Sequence, residues 1–96
     1  MFQIILKPGA VLMTKDAYDW YEEQNKGLGE IFLDELDKCL EKLRSNPAGR
    51  PKISKNYRQA RLKRFPYVVV FELIKTDIIV LSVFHTKRNP KNRFKE

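Results

Sequence analysis

One histidine, one cysteine and one tryptophan are all that ninety-six residues contain of three residue types on which much protein chemistry depends. The single cysteine, Cys39, excludes an internal disulfide and a multi-cysteine zinc site. The lone histidine, His85, cannot supply the pair of imidazoles that most catalytic zinc sites use. Neither a metal nor a cofactor is therefore expected. No apolar run approaches the ~20 residues that span a bilayer, so no membrane partner is expected. Met1 to Leu12 also lacks the charged start and small-residue cleavage site of a secretory signal. These absences point to the cytoplasm.

The most telling absence is acid. Between Arg50 and Arg64 stand Arg50, Lys52, Lys55, Arg58, Arg61, Lys63 and Arg64, with no Asp or Glu among them. From Thr14 to Arg44, by contrast, nine acidic side chains outnumber five basic ones. The net charge of +7 therefore arises in the second half, with +7 over 50–64 and +4 over 87–96. Charge that cannot be neutralised locally faces water or an acidic partner. Its segregation favours an anionic partner: RNA, DNA or an acidic polypeptide.

What is present suffices for one domain over 1–96, with 91–96 a polar tail. A chain of this length hides roughly 60–65% of its unfolded surface on folding. Phe2 to Leu6 reads as a first strand stopped by Pro8-Gly9. Thr14 reads as the N-cap of a helix running to about Lys26, with Ala17, Tyr18, Tyr21 and Trp20 on its inner side and Gly27 as its left-handed stop. Ile31, Phe32, Leu36, Cys39, Leu40 and Leu43 repeat at helical spacing until Asn46-Pro47, which predicts a second helix and a helical hairpin. Residues 58–63 alternate, with Ala60 and Leu62 on one face and Arg61 and Lys63 on the other, as in a half-exposed strand. Phe65-Pro66 interrupts it. Two nearly continuous apolar strands follow, Tyr67–Leu73 and Ile78–Phe84, which read as buried on both faces.

The order β-α-α-β-β-β implies an α+β fold: a helical hairpin packed on one face of a small, mainly antiparallel sheet. The opposite face is expected to be free, with Arg61 and Lys63 projecting from it or from its edge.

Nucleophilic catalysis has little support, because Cys39 lies on the apolar stripe of the second helix. Asp16, Asp19, Glu22 and Glu23 share one helix side and read as a solvated face. Metal-independent phosphodiester cleavage is chemically open. Arg61, Lys63, Arg64, Lys87 and Arg88 offer cations for a developing phosphorane, and His85 offers proton transfer. The plainer account of His85 is a hydrogen-bonded structural residue at a strand end. Tyr57 and Tyr67 flank the basic strand, where they either stack on bases or pack in the core.

Asp19-Trp20-Tyr21-Glu22-Glu23-Gln24, with Gly27-Leu28-Gly29 and Phe32-Leu33-Asp34 after it, resembles the first helical hairpin of the RelE/ParE superfamily of type II toxin–antitoxin toxins. Arg64-Phe65-Pro66-Tyr67-Val68-Val69 and Val83-Phe84-His85-Thr86-Lys87-Arg88-Asn89-Pro90 resemble its later strand signatures. The resemblance covers essentially the whole chain and implies the same β-α-α-β-β-β fold. It also implies a cognate antitoxin that folds on the toxin, its acidic residues meeting Arg50–Arg64 and Lys87–Arg93. That assigns target or antitoxin binding to Arg58, Arg61, Lys63, Arg64, Lys87, Arg88 and Arg93.

One superfamily branch cuts messenger RNA on the ribosome; the ParE branch inhibits DNA gyrase and is no nuclease. The ribosome-dependent branch carries an arginine where this chain has Val68, and a C-terminal tyrosine where this chain offers only Phe94. The Phe-Pro-Tyr and Phe-His-Thr-Lys-Arg-Asn-Pro signatures are more similar to ParE. Three readings follow. The first is a ParE-like toxin acting on gyrase. The second is a ribosome-dependent endoribonuclease using Arg61, His85 and Arg88. The third is a non-toxic basic binding domain, a decayed toxin.

Overall fold

Every fourth or third residue of the second helix is buried, and around that stripe the rest of the molecule is built. The computed structural model describes residues 2–87. Strand β1 (Gln3–Leu6) leads into α1 (Pro8–Gln24) and α2 (Leu28–Ser45); a short 3₁₀ turn (Pro47–Gly49) precedes β2 (Arg58–Arg61), β3 (Tyr67–Ile74) and β4 (Asp77–His85). The two helices form the expected hairpin, and the order is the one read from the sequence. On α2, Phe32, Leu36, Cys39 and Leu43 are buried, while Ile31 is 44% exposed and falls outside the stripe. Trp20 on α1 is likewise on the outer side.

Helix α1 begins six residues before the expected cap. Pro8 is its first residue, and the Val11 amide donates to the Lys7 carbonyl at 3.1 Å. Proline lacks only the N–H that a first-turn residue would leave unpaired, and its φ is already helical. Thr14 sits inside the helix, its hydroxyl donating to the Ala10 carbonyl at 2.9 Å. The helix ends at Gln24, and Gly27, at φ 92°, turns the chain into α2.

That turn is held by one carboxylate. Glu22 accepts from the amides of Gly27 at 3.0 Å and Gly29 at 2.7 Å, so an anion satisfies two donors at the positive end of α2. Gly29 is where the helices meet most closely. A Cβ there would lie 2.8 Å from the Tyr18 carbonyl oxygen, a backbone atom that cannot swing aside. Gly29→Ala is expected to destabilise the protein by about 1–2 kcal/mol, overpacking outweighing the helix propensity gained. Urea unfolding of the variant measures it, and unchanged or raised stability would show that the hairpin is not tight there.

The sheet order is β1-β4-β3-β2, with β1 parallel to β4 and the other two pairings antiparallel. Tyr67, Val69 and Phe71 of β3 and Ile78 and Val80 of β4 join the main core with the helices. Its centre is aromatic: Tyr21, Phe32, Phe65 and Tyr67, with ring centroids 4.9–6.1 Å apart.

The opposite face is not free. Val68, Val70, Ser82 and Phe84 are all 2% exposed or less, and Met13, Ile53 and Tyr57 pack against Val68, Val70 and Phe84. The loop before β2 folds back over a face that is too apolar to meet water, in keeping with the unbroken apolar runs of β3 and β4.

A bulge sets which residue of β4 faces where. Val70 pairs with Ser82 but Phe71 with Val80, so Leu81 is the extra residue. Before it Ile78 and Val80 face the helices; after it Val83 does, and Phe84 turns to the far side. His85 thereby lands beside Tyr67, its ring edge-on at 5.2 Å.

Candidate functional site: a basic cleft beside the edge strand

Because β2 is an outer strand, its residues look away from the sheet on one side. Between that edge and α2 lies a cleft of about 560 Å³. Arg61, Lys63 and Arg64 line one wall, Lys38 and Lys42 the other, with Arg50 at the loop; Leu62 and Cys39 form an apolar floor. Asp37, Glu41 and Glu35 also reach it.

Most of the carboxylates are already engaged. Glu41 pairs with Arg44 at 3.2 Å. Glu35 is the buried member of the cleft, accepting from the Arg64 backbone amide at 2.7 Å and from Arg64 Nε at 2.8 Å. Burial pushes this carboxyl upward, but the two Arg64 hydrogen bonds, the guanidinium charge and the Lys63 amide outweigh it and hold it below its ordinary value. Lys38 pairs with Asp34 at 3.0 Å. Among the described residues, this leaves Lys42, Arg50, Arg61 and Lys63 without an ion pair, against Asp37 alone. The lining of the cleft carries an excess of positive charge.

The residues expected at the site divide. Arg61 and Lys63 are exposed and both line the cleft from the edge of the sheet. Arg64 reaches it too but is tied to Glu35. Arg58 is structural: its Nη1 donates to the carbonyls of Arg50 at 2.7 Å and Ala48 at 3.1 Å, pinning the preceding loop to β2. Lys87 is exposed beyond β4 and does not line the cleft. Arg88 and Arg93 lie outside the described residues. Lys38 and Lys42 were not among the expected site residues, and Arg50 entered only as the start of the Arg50–Arg64 run; the two lysines hide in the net-acidic helical segment, where a spacing of four reads as a solvated face.

His85 is held as a structural residue. Its Nδ1 accepts from the Lys87 amide at 3.1 Å, which places the proton of the neutral ring on Nε2. It does not line the cleft that Arg61 lines. Neither tyrosine is a free stacking platform, since Tyr67 is in the aromatic core and Tyr57 packs against the second cluster. Burial pushes the Cys39 thiol up, more than nearby Arg50 and Lys42 pull it down, so it is a poor nucleophile. Among the described residues no group of three His, Cys, Asp or Glu could hold a metal, and no helix is long and apolar enough to cross a membrane.

Arg61, Val68 and Phe84 form one cross-strand row. Where the ribosome-dependent branch places an arginine, Val68 is 1% exposed and covered, and its neighbour Phe84 is buried as well. The row carries a cation only at its outer end. A phosphate over the middle of the sheet would meet hydrocarbon.

No curated protein matches the chain. Its fold is shared by a solved structure described as the chromosomal ParDE TA system from P. aeruginosa, at a TM-score of 0.79 and 18% sequence identity, covering 88% of this chain and 96% of that one. The family model described as the ParE toxin of type II toxin–antitoxin system, parDE, matches residues 4–90. With nearly the whole chain matched, this protein belongs to the ParE toxin family.

Proposed function

We propose that this ParE-family toxin acts by binding DNA gyrase, without cleaving RNA, and is neutralised by a cognate antitoxin. The observation that carries the reading is the apolar, covered middle of the sheet. Val68, with buried Phe84 beside it, stands where the ribosome-dependent branch carries an arginine, and a cation at the reacting phosphate is typically worth ~10²–10³ in rate. His85 adds to it, because its Nδ1 is engaged by the Lys87 amide and it stands apart from the cleft cations.

The antitoxin's acidic residues meet the exposed cations outside the cleft, Lys52 and Lys55 of the Arg50–Arg64 region and Lys87. An antitoxin segment that folds on binding loses entropy in doing so, and ion pairing of this kind chiefly speeds its association.

Tightly repressed expression in a bacterium, followed by pulse labelling of DNA, RNA and protein, tests the function. DNA synthesis is expected to stop first, the cells to filament and transcripts to stay intact, with His85→Ala as toxic as the unaltered chain. Early arrest of protein synthesis with cut messages would replace this reading with a ribonuclease. Unimpeded growth would indicate a non-toxic basic domain.

A further inference from the structure

We propose that the cleft between α2 and β2 binds a single nucleic-acid strand through its phosphodiester backbone, with Lys42, Arg50, Arg61 and Lys63 as the phosphate-holding residues. The cleft's volume, about 560 Å³, lies within the range of small-ligand sites, about 300–1,000 Å³, which matches a few linked phosphates and sugars of one strand. Its walls come from different elements: Lys42 from α2, Arg61 from β2, Lys63 from the β2–β3 connection and Arg50 from the loop after α2. An extended anion lying between them meets positive charge on both sides.

The edge of β2 decides between a phosphodiester and an acidic peptide. An added peptide strand needs unpaired amides and carbonyls along the edge. Here they are largely taken. The Gln59 amide donates to the Pro51 carbonyl at 3.2 Å, Lys52 bridges to Arg58, and the amides of Lys63 and Arg64 serve Glu35. What the cleft still offers is side-chain cations, which suffice for phosphate. No aromatic residue lines it, so it has no platform for bases and holds the backbone without reading sequence.

This inference does not depend on the gyrase target, and its test uses no growth readout, so either can fail alone. Fluorescence anisotropy with labelled twelve-residue oligodeoxythymidine and oligouridine, over a range of salt, measures it on the full chain. Both oligomers are expected to bind within about threefold of each other, with a log–log salt slope near −3 from about four phosphate contacts. The Arg61→Ala, Lys63→Ala double variant should weaken binding about tenfold or more at low salt and reduce the slope by about 1.4. A Lys26→Ala, Lys55→Ala control removes the same charge from exposed positions outside the cleft and should leave the slope unchanged. Absence of binding at about 50 mM salt overturns the proposal, as does equal weakening by both pairs, which would mean generic attraction. So does a polyglutamate peptide held through Arg61 and Lys63 when neither oligomer binds, since the cleft would then be a peptide site. A strict preference for one oligomer overturns backbone-only recognition.

Discussion

Phe32→Ala is expected to cost about 3–5 kcal/mol, a large share of the total stability of a chain this size. Phe32 is fully buried on α2 and lies between three other rings: Phe65 at 5.3 Å, Tyr67 at 5.1 Å and Tyr21 at 5.5 Å. Those rings come from α1, from the β2–β3 connection and from β3. Removing the phenyl group therefore loses apolar burial and ring–ring contact and leaves a hole bordered by three separate elements. Such a hole cannot be closed by moving one side chain, which is why the cost should sit high in the range. Phe32→Leu retains most of the volume and should lose about half as much. Urea unfolding followed by circular dichroism measures both. A loss near 1 kcal/mol for Phe32→Ala would show that the four rings are not the centre of the core.

Glu35→Ala is the second large effect, expected at about 2–3 kcal/mol at neutral pH because two short hydrogen bonds to a carboxylate disappear together. The cost falls mainly on the backbone of the β2–β3 connection. Arg64 remains two-thirds exposed and its guanidinium returns to water, whereas its amide loses the partner that fixed the chain between Leu62 and Phe65. Glu35 also carries a pH signature. Its carboxyl is held below the ordinary value of 4.5 in the folded protein, so its contribution is complete above about pH 4.5 and disappears as pH falls through the lower folded value. The difference between the unaltered chain and Glu35→Ala should accordingly be full at pH 7 and shrink toward pH 3. A difference that stayed constant, or grew in acid, would mean that the ionised carboxylate is not what holds Arg64. Since Arg61 and Lys63 flank this anchor, Glu35→Ala also tests whether the cleft keeps its shape without it.

Local periodicity made much of the fold legible. The Phe32, Leu36, Cys39, Leu43 stripe needs only the helical repeat, and the apolar runs of β3 and β4 by themselves imply strands covered on two faces. Those runs sit poorly with a free sheet face, and Ile53 and Tyr57 close it. What escaped was long-range or ambiguous. Pro8 stops a strand and starts a helix with equal ease, so α1 begins six residues before the cap that the sequence suggests. An all-apolar β4 hides its bulge, because no alternation marks the change of phase at Leu81. The parallel pairing of β1 with β4 joins segments more than seventy residues apart and has no local signal.

The site followed the same division. Alternation put Arg61 and Lys63 on an exposed face, and both are exposed. It could not tell that Arg64 belongs to Glu35, twenty-nine positions earlier, or that Arg58 belongs to two loop carbonyls. Lys38 and Lys42 were obscured by the acids around them, since net charge over a segment averages the two sides of a helix that the fold keeps apart.

Purified gyrase supplies the most direct test of the central claim, that this toxin binds a target and cleaves nothing itself. Supercoiled plasmid, gyrase, ATP and the purified chain are incubated, then treated with detergent and protease. Linear plasmid, rising with the amount of the chain and unaffected by His85→Ala, is the predicted result, because a trapped gyrase leaves its own double-strand break. Unbroken plasmid, together with messenger RNA cut on programmed ribosomes by the same preparation, would contradict it.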